Sequence, residues 1–157
     1  MAISIPNFGE LLAEHLQGVP AAAYPFLLSQ LERTAADRYR SWAEQVSEHR
    51  SGLLACAASE DTIADRVEAL FPPSRAHRAL VGAILPAAKA TYYAVFDAYT
   101  PYEQMQIQAQ AERQGANAWQ NLKQAFPQHA AALDELSAIE VSSADYLDGI
   151  LSVELTS

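Results

Sequence analysis

A single cysteine, Cys56, occurs in the 157 residues, so no intramolecular disulfide and no thiolate metal cluster can form. It lies in the run Leu53-Leu54-Ala55-Cys56-Ala57-Ala58 and reads as a small buried hydrophobe. The six glycines form neither a phosphate-cradling loop nor a nucleophile elbow. Valine, isoleucine, threonine and phenylalanine are sparse, and no segment alternates with period two, which argues against sheet. The most apolar stretch, Ala79 to Ala88, is about ten residues long, too short to cross a bilayer. The opening Met1-Ala2-Ile3-Ser4-Ile5-Pro6 lacks the basic region and apolar run of a secretory signal. A cytoplasmic location is expected.

Positive charge is also scarce: 10 Lys and Arg stand against 19 Asp and Glu, for a net charge of −9. No Lys or Arg follows Lys123, while Asp134, Glu135, Glu140, Asp145, Asp148 and Glu154 do, and residues 142–157 read as an acidic C-terminal segment. This balance repels phosphate backbones and anionic lipid, which excludes nucleic acid and membrane as expected partners. A basic protein partner is compatible with it.

The histidines, His15, His49, His77 and His129, fall on four separate expected elements, and none completes a Glu-x-x-His pair. The ligand spacing of di-iron bundles is therefore missing, as is a His-Glu-x-x-His zinc helix. No catalytic residue, metal ligand or cofactor is assigned.

What is abundant is alanine, followed by leucine, both strong helix formers. The expectation is an all-α, compact single-domain bundle of five to seven helices over 1–157, with 1–6 a short N-terminal extension and no internal repeat. Asn7-Phe8-Gly9-Glu10 reads as a capping box opening a helix that Gly18 and Pro20 end. A long helix from Pro25 to at least Val46 gathers Leu27, Leu28, Leu31, Ala35, Tyr39, Trp42 and Val46 on one stripe. Ser59-Glu60-Asp61 reads as a fresh N-terminus, with Ser as cap and two acids facing the dipole. Ser74 caps a segment running to Tyr99, a proline-kinked helix placed at the centre of the fold. Pro86 lies on its polar face with Lys89, Tyr93 and Asp97, and four residues back stands Gly82, which adds no side chain to the crowding. Thr100-Pro101-Tyr102-Glu103 opens a helix reaching Phe126. A shorter helix is expected over 128–140, and Ser142-Ser143-Ala144-Asp145 reads as a last N-terminus.

Four residues form the candidate ligand site. Glu112 falls inside the apolar arc of its helix with Gln108 one turn earlier, where a carboxylate could orient a ligand. Tyr92 and Tyr99 belong to an aromatic cluster, and Trp119 lies on the Glu112 helix. The small residues Ala109, Ala111, Gly115, Ala116 and Ala118 could leave a cleft opposite the aromatics, or equally let two helix backbones approach closely. Two functional readings follow. One is a non-enzymatic protein-interaction or regulatory module, a homodimer through Trp119, Leu122 and Phe126. The alternative is a helical bundle, as a binding protein or an enzyme, that takes a small apolar or aromatic molecule near Tyr92, Tyr99, Glu112 and Trp119. A dry, closed core favours the first; an open cleft with a buried Glu112 favours the second.

Overall fold

The computed structural model describes residues 3–156. Among them are six α-helices and no strand: α1 (Phe8–Leu16), α2 (Tyr24–Gln45), α3 (Arg50–Leu70), α4 (Arg75–Ala94), α5 (Pro101–Ala125) and α6 (Ala130–Thr156). No described helix is long and apolar enough to cross a membrane.

Three expected caps are formed. The Asn7 side chain accepts from the Glu10 amide at 2.9 Å, Ser74 Oγ from the His77 amide at 3.1 Å, and Thr100 Oγ1 from the Glu103 amide at 3.4 Å. Glu103 does not reach back to a backbone amide here; its carboxylate accepts from the Thr100 hydroxyl at 2.9 Å. Gly18, past the end of α1, has φ +79°, the left-handed conformation that glycine adopts without a Cβ penalty.

Two helical hairpins build the bundle, α2 with α3 and α5 with α6. Each turns through one short 3₁₀ segment, residues 47–49 in the first and 127–129 in the second. The hairpins are in register at an offset of 80 positions: Gln45 ends α2 as Ala125 ends α5, and Arg50 starts α3 as Ala130 starts α6. An internal duplication of architecture is thus present that the sequence did not reveal, because few of the paired residues are identical.

The hairpins pack antiparallel to each other. Gly52 of α3 meets Tyr146 of α6, while Ile63 and Val67 meet Leu133 and Leu136. Trp42 of α2 donates to Gln104 of α5 at 2.8 Å. In consequence α3 and α5 run the same way, and the chain between them must return along the whole bundle. The 20 residues of α4 supply that return, about 30 Å at 1.5 Å per residue.

This return path corrects the expected central position of the Pro86 helix. Only Val81, Ala88 and Tyr92 of α4 are buried, and the helix lies against α1 and α2 on the outside of the hairpins. Pro86 and Gly82 are exposed and Lys89 is half-buried, so the proline face is the outer one as expected.

Two expected helix starts are overturned. α3 continues through Ser59-Glu60-Asp61 and α6 through Ser142–Asp145. Ser143 is 4% exposed and Glu60 is 0% exposed, so both are interior residues of long helices. Local capping preference is worth about 1 kcal/mol, and burial of the flanking apolar stripes outweighs it.

Candidate metal and ligand site

Each of the four hairpin helices carries one glutamate in its buried seam. Glu32 is flanked seven residues either way by Pro25 and Tyr39, Glu60 by Leu53 and Val67, Glu112 by Met105 and Trp119, and Glu140 by Leu133 and Leu147. All eight flanking residues are buried. Two helical turns cover about seven residues, so each glutamate is forced inward by apolar side chains above and below it. Glu32 and Glu112, like Glu60 and Glu140, are 80 positions apart. The four carboxylates therefore occupy equivalent positions in the two hairpins and converge where the hairpins meet.

Glu32, Glu60 and Glu140 each place one carboxylate oxygen within 4.8 Å of the others. Oxygens on opposite sides of one divalent cation lie about 4–5 Å apart, so a single ion could touch all three. Glu112 borders them. Its Oε1 accepts from the Tyr39 hydroxyl at 2.7 Å and from Gln108 Nε2 at 2.9 Å, while its Oε2 is buried without a partner. Gln108 is itself fixed by the Tyr92 hydroxyl, which donates to its Oε1 at 2.7 Å. Glu140 Oε1 accepts from the Trp119 indole N–H at 3.0 Å. Apart from the neighbouring Glu32 carboxyl, neither oxygen of Glu60 meets a donor.

The electrostatics are one-sided. Burial pushes the Glu60 carboxyl well above the usual carboxylate range, and the charges of Glu112, Glu140 and Glu32 push it further. Glu140 is raised well above that range by burial and then by Glu32 and Glu112. Glu32 is raised by burial, partly offset by hydrogen bonding to Glu60. The Tyr39 and Tyr92 phenols are raised well above their ordinary value, chiefly by burial, and remain donors. Burial likewise pushes the Cys56 thiol up to about 12, which removes it as a nucleophile or ligand near neutral pH.

Beside the carboxylates opens a cavity of about 370 Å³. The four glutamates, Tyr92 and Gln108 form its polar end. Its apolar lining from α1 and α2 is Phe8, Leu12, Leu28 and Leu31, and the exposed Asn7, Asn117 and Asn121 with the half-buried Gln114 also border it. Helix α1 is held over it by Gln114, whose side chain accepts from the Phe8 amide at 2.8 Å and donates to the Pro6 carbonyl at 2.9 Å.

Of the residues expected from sequence, Tyr92 and Glu112 line this cavity. Trp119 reaches it only through Glu140. Tyr99 does not line it: half-buried, it packs on the core around Trp42 and Phe96 and lends its carbonyl to Gln104. Of the small residues on α5, Ala111, Gly115 and Ala118 line the cavity, whereas Ala109 and Ala116 do not. Trp119 is 1% exposed and packs with Ile63, Val67 and Leu133, so the face considered for a second copy is covered by the chain's own helices there.

Glu32, Glu60 and Glu140 were missed by reading the sequence locally. Glu60 resembled a dipole-facing acid in a first turn, Glu140 one of several acids in a charged tail. The available signal was the seven-residue spacing, in which a lone carboxylate interrupts an otherwise apolar seam four times. Gly115 belongs with them: a Cβ there would lie 3.0 Å from Glu140 Oε1, so the glycine makes room for the carboxylate. Compared with known proteins, the chain matches no family model, no curated protein and no solved structure.

Proposed function

We propose that this chain is a metal-binding helical bundle in which Glu32, Glu60, Glu112 and Glu140 hold hard divalent cations at the floor of a ligand cavity. The observation that carries it is that both Glu60 oxygens and Glu112 Oε2 are buried with no partner but other carboxyl groups, in a cluster with no basic residue lining it. A buried carboxylate without donors is expensive to keep, and a cation held between Glu32, Glu60 and Glu140, with Glu112 beside it, supplies the counter-charge that this cluster lacks. Carboxylate bundles that bind two metals use a Glu-x-x-His motif on two helices. Here the corresponding positions after Glu60 and Glu140 are Ile63 and Ser143, so the donor set is oxygen alone. Such a set favours manganese, magnesium or calcium over softer ions. The hydrogen bonds from Tyr39 and Gln108 to Glu112, and from Trp119 to Glu140, are the outer-shell contacts that orient metal ligands.

This favours the ligand-binding reading over the interaction module, since Glu112 is buried and opens on a cavity. Protein stripped with EDTA and titrated with Mn²⁺ tests it, with the free ion followed by electron paramagnetic resonance. The free signal should disappear at low ratios and reappear at saturation, and Glu60→Gln together with Glu140→Gln should abolish uptake. A stripped, folded protein that takes up none of Mn²⁺, Fe²⁺, Mg²⁺ and Ca²⁺ would overturn the proposal.

A further inference from the structure

Resting on that metal reading, we infer that the cavity receives a neutral, largely apolar molecule whose single oxygen donor faces the cation, and that it selects against anions and amines. Charge balance at the polar end sets the preference. The lining contains four glutamates and no Lys, Arg or His. Two divalent cations at most are neutralised by four carboxylates, which leaves no positive charge for a carboxylate, sulfate or phosphate group on the ligand. Burying an unpaired charge is strongly unfavourable. A ligand ammonium would find carboxylates, but only by competing with the metal for the same oxygens. A neutral hydroxyl or carbonyl needs no compensation and can complete a cation's coordination.

The remainder of the cavity matches such a body. Phe8 and Leu12 from α1, Leu28 and Leu31 from α2, and the small Ala111 and Ala118 from α5 all line it. The amides that border it are uncharged and add no ionic selection there. A volume of about 370 Å³ falls at the small end of ligand pockets.

Three probes of one chain length separate the possibilities: 1-octanol, octanoate and octylamine, added to Mn²⁺-loaded and to stripped protein. Binding is read from tryptophan fluorescence, because Trp119 touches Glu140, and from the electron paramagnetic resonance line of bound Mn²⁺. Octanol is expected to bind the loaded protein about tenfold more tightly than either charged probe, a difference of about 1.4 kcal/mol, and to alter the Mn²⁺ line. Ala118→Phe, and independently Leu31→Trp, should fill the cavity, weaken octanol by about the same factor and leave Mn²⁺ uptake unchanged. Helical dichroism of each variant is checked first. Octanoate binding as tightly as octanol would overturn the inference, as would octylamine binding best and expelling Mn²⁺, or none of the three binding. Failure of the metal reading is seen separately, as absence of Mn²⁺ uptake before any probe is added.

Discussion

Glu60→Leu is expected to stabilise the metal-stripped protein while destroying its response to metal. Glu60 is 0% exposed, and neither oxygen meets a donor other than the Glu32 carboxyl. Its neighbours Glu112, Glu140 and Glu32 are all acids, and burial together with their charge raises its pKa well above the usual range. Replacing buried, imperfectly paired charges by apolar side chains of similar volume is often worth 1–4 kcal/mol of added stability. With three carboxyls left in place, about 2 kcal/mol is expected, or roughly 4–8 °C in Tm for a domain of this size. The assay is thermal denaturation followed by far-ultraviolet circular dichroism, in EDTA and then in excess Mn²⁺. Bound ion stabilises the wild type by mass action, by about 2.7 kcal/mol at a concentration a hundredfold above Kd. The two proteins should therefore exchange rank: variant above wild type in EDTA, wild type level with or above the variant in Mn²⁺. The reasoning is refuted if the variant is less stable than wild type in EDTA by about 1 kcal/mol or more. That result would mean that Glu60 is satisfied in the fold. Retention of the full Mn²⁺ response by the variant would equally remove Glu60 from the ligand set.

Acid titration offers a second check. Glu32, Glu60 and Glu140 have folded-state values above their unfolded ones, so the stripped fold binds more protons than the unfolded chain. Their contribution is fully present below the ordinary glutamate value of about 4.3 and is lost as pH rises through the raised values. Urea midpoints of stripped protein should therefore fall as pH rises above about 5, and Mn²⁺ should offset the fall because cations displace the protons; a midpoint rising with pH there in EDTA would contradict the assignment. Gly115→Ala should fail to deliver the gain of about 1 kcal/mol usual for Gly to Ala inside a helix, because the new Cβ meets Glu140 at 3.0 Å. Mn²⁺ titration of that variant should show weakened binding, and unchanged affinity together with a full stability gain would show that Glu140 moves aside freely.

The sequence by itself determined the helical class and most of the helix ends. Alanine and leucine supply propensity, Pro and Gly end segments, and Asn7, Ser74 and Thr100 cap through contacts within three residues; all of these act over one turn, so they are visible in a local window. Glu112 was legible for the same reason, as a carboxylate inside the apolar arc of its own helix. Tertiary structure alone decided that α3 and α6 run unbroken past Ser59 and Ser142, where a local preference yields to apolar stripes that become buried only when the hairpins meet. It also decided that the Pro86 helix lies outside, because α3 and α5 turn out parallel and the chain needs a return path. The carboxylate cluster depends on both decisions. A glutamate contributed by each of four helices becomes a single site only once helices distant in sequence are packed together, since burial and mutual charge are properties of the assembled interior and not of any one segment.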